Sequence, residues 1–261
     1  MTVPAAPRDP PVRSTGRFSY TDEGEGPVIV AVHGLPGSTR DFRWLGAALP
    51  PSVRFIRLDL PGFGSTPLST RPSPAIDERG AFVAEALAAL GIGDCVLAGH
   101  SMGGAVVLSA AVQSVSVLKL ALLSSIGLRP HVMLRKFGGS DVLSRAVDWP
   151  VVGAVARRVL RLGMRSVGFA AQTTLEEVAH TVRCVAAVDF GVQAQNTQKV
   201  RPSPVLCAWA DDDAFIETPI FEEHAALLPA GPRLRWPTGG HNIQKSHAVE
   251  LAAALVKFAT T

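Results

Sequence analysis

The stretch Gly99-His100-Ser101-Met102-Gly103-Gly104 restricts the fold of this chain more than any other. It follows a short apolar run at 95–98 and precedes a helix-forming stretch at 105–111. A serine at so sharp a strand-to-helix turn occupies strained backbone. A side chain at position 99 or 103 would collide with the neighbouring strand or helix. The turn projects the serine Oγ above the sheet, where the helix N-terminus favours developing negative charge. The bare G-x-S-x-G spacing recurs by chance, so its weight comes from the strand–turn–helix setting.

That strand needs a sheet around it. Short apolar runs at 28–32, 53–60, 118–123 and 204–209, bounded by Gly or Pro or lying beside them, read as further buried parallel strands. Helical patterns fall between them. Val83, Leu87 and Leu90 recur at helical spacing after Asp77, with Gly91 as a stop, and residues 248–258 form a C-terminal helix. Strand–helix alternation predicts an α/β fold, a mostly parallel sheet with helices on both faces. Residues 128–201 break the rhythm, with helical patterns and no convincing strand. So long a connection predicts a helical cap over one end of the sheet, bordered near Pro130 and Pro202. The core then comprises residues 1–127 and 202–261.

Composition narrows the class. Of 261 residues, 47% are hydrophobic and 18% charged, which excludes a disordered or collagen-like chain. A net charge of +3 without strong clustering argues against a nucleic-acid binder. Cys95, Cys184 and Cys207 are odd in number and far apart, so they read as buried free thiols and not as a disulfide framework or zinc site. Residues 1–17 carry Pro and Arg with no apolar segment and read as a loose tail. With no secretory signal recognised, the expected location is cytoplasmic.

The elbow and its surroundings resemble the α/β-hydrolase family, over nearly the whole chain apart from the tail and the cap. The resemblance implies the α/β-hydrolase fold and a triad in the order nucleophile, acid, histidine. Ser101 is then the nucleophile. The loop Ala210-Asp211-Asp212-Asp213-Ala214-Phe215-Ile216 resembles the family's G-x-x-D-x-x-[IV] pattern, with Ala210 in place of Gly, and selects Asp213 as the acid. Asp211 and Asp212 read as a solvated turn. His241, in Gly239-Gly240-His241-Asn242, matches the family's base loop; His247 is its nearest competitor. The loop His33-Gly34-Leu35-Pro36-Gly37 implies an oxyanion hole of two backbone N–H groups, Leu35 and Met102. Pro36 has no N–H to offer. His33 and the turn Asp59-Leu60-Pro61-Gly62-Phe63-Gly64-Ser65 read as structural.

The H-G-x-P loop is especially similar to the epoxide hydrolase and haloalkane dehalogenase branch, whose nucleophile is an aspartate. Here Ser101 stands in its place, the single tyrosine, Tyr20, lies outside the cap, and Met102 replaces the halide-holding tryptophan. Ser-His-Asp with an oxyanion hole implies acyl transfer to water. The leading reading is hydrolysis of a carboxylic ester of a small apolar substrate. Carbon–carbon bond hydrolysis of a diketone-like substrate uses the same triad, and a non-catalytic ligand receptor is a third class. No metal or cofactor is implied, and oligomeric state is left open.

One feature of the cap stands apart. Residues 128–201 hold 11 basic and 5 acidic side chains, a net +6 that leaves −3 on the rest. Val151, Val155, Val159 and Leu162 share one helical face. Arg157, Arg158, Arg161 and Arg165 occupy much of the remainder. Either the apolar stripe covers the active site and the arginines are solvated, or the helix rests on an anionic membrane surface. Both readings favour medium, uncharged, apolar esters.

Overall fold

The computed structural model describes residues 7–114, 117–137, 141–166, 173–200 and 203–261. Five apolar runs become the parallel body of a sheet: β3 (Val28–Val32), β4 (Arg54–Leu58), β5 (Cys95–His100), β6 (Val117–Leu123) and β7 (Val205–Ala210). A short hairpin, β1 (Arg13–Ser14) and β2 (Ser19–Glu23), precedes them, and β8 (Arg233–Trp236) follows. The order is β1-β2-β4-β3-β5-β6-β7-β8. β2 joins β4 antiparallel, and every pair from β4 to β8 is parallel. The edge strands β1 and β8, and β2 beside the first of them, were not expected from the sequence. Their charged, alternating residues lack the apolar run that marks a strand buried on both faces. Part of the expected N-terminal tail is therefore sheet.

The helices are α1 (Arg43–Ala48), α2 (Ile76–Ala89), α3 (Met102–Gln113), α4 (Val132–Phe137), α5 (Asp141–Ala146), α6 (Val152–Ser166), α7 (Leu175–Ala186), α8 (Phe190–Lys199), α9 (Thr218–Leu227), α10 (Ile243–Ser246) and α11 (Ala248–Thr260). Strand periodicity divides the core into two layers. Val30, Val32 and Leu97 point toward α2, α3 and α9, while Ile29, Ala31, Val96 and Ala98 point toward α1 and α11. The three cysteines are free and buried, and burial pushes their thiols up to about 11 or 12.

Between β6 and β7 the described residues are helical and contain no strand. The expected border at Pro202 lies outside the described residues. α7 starts on a capping box, in which Thr174 Oγ1 accepts from the Glu177 N–H and Glu177 accepts from the Thr174 N–H. It is fastened to the turn after β4. His180 packs on Phe63 with ring centroids 5.3 Å apart, and the buried Arg79 donates to His180 and to the Pro61 carbonyl. α8 is held to the core instead: Asn196 donates to Asp77 at 2.9 Å, and Ser109 of α3 donates to the same oxygen. Thus α4 to α7 lie over the ends of the strands, and α8 packs beside the sheet.

Candidate active site

In an open parallel sheet, ligands bind beyond the carboxyl ends of the strands. The loops after β3, β5, β7 and β8 converge there. Ser101 follows β5 with φ 55° and ψ −123°, left-handed backbone that a non-glycine residue rarely adopts. The close approach behind it explains the small neighbours. A Cβ on Gly103 would lie 2.4 Å from the Val32 carbonyl oxygen, and one on Gly34 would lie 2.8 Å from Ser101 Cβ. The His33-Gly34-Leu35 loop therefore rests directly on the serine.

Asp213 follows β7 and His241 follows β8. The Asp213 side chain is fully buried, and its Oδ2 accepts from His241 Nδ1 at 2.7 Å. Its Oδ1 accepts from the Phe215 and Ile216 N–H groups at 2.8 and 3.1 Å. With Nδ1 committed to the carboxylate, Nε2 is left as the basic nitrogen. Ser101 and His241 line the same two cavities, and no hydrogen bond joins them among the described residues. Such bonds often tighten only when substrate binds. Met102 is the first residue of α3, so its N–H has no carbonyl one turn earlier. The Leu35 N–H has no acceptor among the described backbone bonds.

The two neighbouring aspartates are not merely solvated. Asp212 accepts from the Gly240 N–H at 2.7 Å, which ties the loop after β7 to the loop after β8 and holds its carboxyl below the usual range. Asp211 pairs with Arg235. His247 stacks on Trp236 and does not reach the serine cavities. His33 is buried and uses both ring nitrogens on backbone, Nδ1 on the Gly34 carbonyl and Nε2 on the Leu60 N–H. Asp59 accepts from Thr39 and Ser65 N–H groups. Both act as structural pins between loops.

Two side chains near the serine escaped sequence reasoning. His100 Nε2 donates to the His241 carbonyl at 2.9 Å, and burial pushes its ring down to about 3, so it stays neutral. Only its place beside Ser101 hints at this. Asp41 accepts from the Ser38 N–H, and burial pushes it up to about 7. Nothing local in the sequence marks it.

Ser101 stands between two cavities. One, about 320 Å³, is apolar. Leu35 and Ile126 close it from the strand ends, and Leu134, Leu143, Met164 and Val182 close it from α4 to α7. The other, about 710 Å³, is polar and is lined by Ser38, Asp41, Arg43, Glu177 and Lys245. The inward face of α6 is not the predicted stripe. Gly153, Ala156 and Leu160 face the interior, while Val151, Val155, Val159 and Leu162 are exposed, with Val159 alone also bordering the apolar cavity. Gly153 and Ala156 let this side of α6 pack closely on the buried Val147, Ala179 and Val182.

The buried histidines set a pH dependence. Burial lowers His100 to about 3 and His131, His180 and His224 to about 4. Below their ordinary value of about 6.5 the unfolded chain takes up protons that the folded chain refuses. Their contribution is complete above pH 6.5 and is lost as pH falls toward 4. Asp41 acts oppositely over a similar window, but one group stands against four. The expected result is a melting temperature at least about 5 °C lower at pH 4.5 than at pH 7 in thermal scans. A flat profile would contradict these environments.

The fold and this loop cluster define the class. Residues 29–254 match the family model described as "Alpha/beta hydrolase family", and the chain belongs to that family. Haloalkane dehalogenase 2 of Mycobacterium tuberculosis is 28% identical over 268 residues, covering 94% of this chain and 92% of the relative. Among solved structures, an alpha/beta hydrolase fold protein from Burkholderia ambifaria superposes with a TM-score of 0.75 at 22% identity, covering 92% and 93% of the two chains. A thermophilic esterase from Thermogutta terrifontis gives 0.67 at 20% identity, covering 95% of each. No helix of the described residues is long and apolar enough to cross a membrane.

Proposed function

We propose that the chain is a serine hydrolase that cleaves carboxylic esters of apolar acyl groups through an acyl-enzyme. The carrying observation is the Asp213–His241 hydrogen bond beside a serine held in elbow geometry at the mouth of an apolar cavity. Ser101 Oγ attacks the ester carbonyl carbon while His241 Nε2 takes its proton. Asp213 holds the imidazole tautomer and stabilises the imidazolium. The oxyanion of the tetrahedral intermediate is placed against the Leu35 and Met102 N–H groups, each such donor typically worth about 10²–10³ in rate. His241 returns the proton to the departing alcohol. Water then repeats the sequence on the acyl-serine and releases the acid.

The apolar cavity takes the acyl chain, and the polar cavity serves the alcohol and entering water. Dehalogenation, the activity in the similar relative's name, is disfavoured by Ser101. A serine displacing halide from an alkyl carbon would form an ether that water does not cleave, whereas a carboxylate nucleophile forms an ester that it does. The apolar cavity beside Ser101 favours an ester of an apolar acyl group, and carbon–carbon cleavage of a diketone-like substrate is the second reading.

The test is labelling with a fluorophosphonate, followed by a chain-length series of p-nitrophenyl esters. The expected result is one adduct, on Ser101. The expected kcat/KM rises from acetyl to medium-chain acyl groups by about tenfold or more, since each buried methylene contributes roughly 0.8 kcal/mol. No labelling and no turnover would leave the receptor reading. Turnover of a ring-cleavage dienone without ester turnover would replace ester by carbon–carbon hydrolysis.

A further inference from the structure

Nine large hydrophobic side chains are exposed among the described residues, and six of them lie on or just before α6. Trp149, Val151, Val152, Val155, Val159 and Leu162 are 49% to 78% exposed. Hydrophobic residues scattered singly over a surface are ordinary, but a run on one helix face is not. The exposed arc is separate from the inward side of the helix, where Gly153, Ala156 and Leu160 pack on the interior and Met164 borders the apolar cavity. A Cβ on Gly153 would lie 2.5 Å from the Val147 carbonyl oxygen, so the start of the helix packs closely on the turn before it.

The charges around this face select its occupant. Arg158 lies three residues after Val155 and four before Leu162, and Arg165 lies three after Leu162; both are exposed on the border of the apolar arc. Arg158 and Arg161 pair with no carboxylate among the described residues. Residues 128–201 carry the net +6, against −3 on the rest of the chain. A second copy docked through the same face would set these arginines against their own images, since a two-fold contact apposes identical patches. An anionic lipid surface meets both demands. Aliphatic side chains enter the boundary between headgroups and acyl chains, and guanidinium groups lie at the phosphates.

We propose that α6 docks the protein peripherally on anionic membrane surfaces. The apolar arc of Val151, Val155 and Leu162 inserts, and Arg158 and Arg165 engage lipid phosphates. Val159 belongs both to this face and to the border of the apolar cavity. Docking therefore places the cavity border at the lipid, a route for the apolar ester of the proposed reaction. That route rests on the proposed function; the docking does not.

The experiment is co-sedimentation of the full chain with phosphatidylcholine vesicles containing phosphatidylglycerol, with size-exclusion measurement of mass in their absence. The expected result is pelleting at low salt and release at high salt, because surface attraction is screened. Pure phosphatidylcholine should capture much less. Val155→Asp with Leu162→Asp should lower partitioning roughly 100-fold, and Arg158→Gln with Arg165→Gln about tenfold. All four positions lie outside the proposed catalytic machinery, so turnover of a water-soluble ester stays unchanged. Absence of pelleting with anionic vesicles at low salt overturns the proposal, as does equal capture by neutral vesicles. A dimer in the absence of lipid that Val155→Asp with Leu162→Asp dissociates overturns it too, and makes the face an interface between copies. Binding is read without a catalytic assay, so its failure and that of the ester reading remain distinguishable.

Discussion

Ser101→Ala is expected to lower kcat on a p-nitrophenyl ester by on the order of 10⁶, the scale at which a triad loses its nucleophile. Alanine keeps the Cβ and therefore the same φ of 55°, so the elbow, α3 and the melting temperature should remain as they are. Residual turnover above the uncatalysed rate is expected from the oxyanion donors alone, because they sit on backbone that the substitution leaves in place. The measurement is kcat alongside a thermal melt, with mass spectrometry of the fluorophosphonate adduct. An adduct on any other serine, or a Ser101→Ala protein that keeps its turnover, would sink the assignment.

The second large effect belongs to Asp213. In Asp213→Asn, Oδ1 can go on accepting from the Phe215 and Ile216 N–H groups, which turns the new NH₂ toward His241. A donor there forces the imidazole to present Nδ1 as acceptor and to carry its proton on Nε2, where it no longer accepts from serine. A fall in kcat of about 10⁴ is expected, with little change in stability. Asp212→Asn keeps an acceptor for the Gly240 N–H, so its effect should stay below about tenfold. Asp211→Asn removes an exposed ion pair with Arg235 and should be nearly silent. If Asp212→Asn matched Asp213→Asn, the acid would be misassigned by one residue.

What the chain alone determined is local and steric. Buried strands need apolar side chains on both faces, so β3 coincides with its apolar run, 28–32, β5 extends its run by two residues, and β7 is displaced from its run by one. The elbow and the loops after β7 and β8 are turns whose backbone admits few residue types, so the candidate site residues Ser101, Asp213 and His241 could be picked out from their neighbours. The same locality failed at the sheet edges. Arg233-Leu234-Arg235-Trp236 alternates because only one face is covered, and a four-residue alternation is too short to separate from a loop.

Tertiary packing decided the rest. Asp212 became a tie to Gly240, and His100 to the His241 carbonyl, only because the loops after β5, β7 and β8 meet at one end of the sheet. The apolar cavity draws its walls from residues more than 80 positions apart, a relation no window of sequence contains. α6 shows the division most sharply. Its periodicity reveals an apolar arc and a basic border, but not which side faces the protein. Packing on Val147, Ala179 and Val182 rewards a small inward surface, and Gly153 and Ala156 supply it. Val151, Val155 and Leu162 therefore remain outside, because the close contact that Gly153 and Ala156 permit is made on the other side of the helix, where Leu160 and Met164 border the apolar cavity.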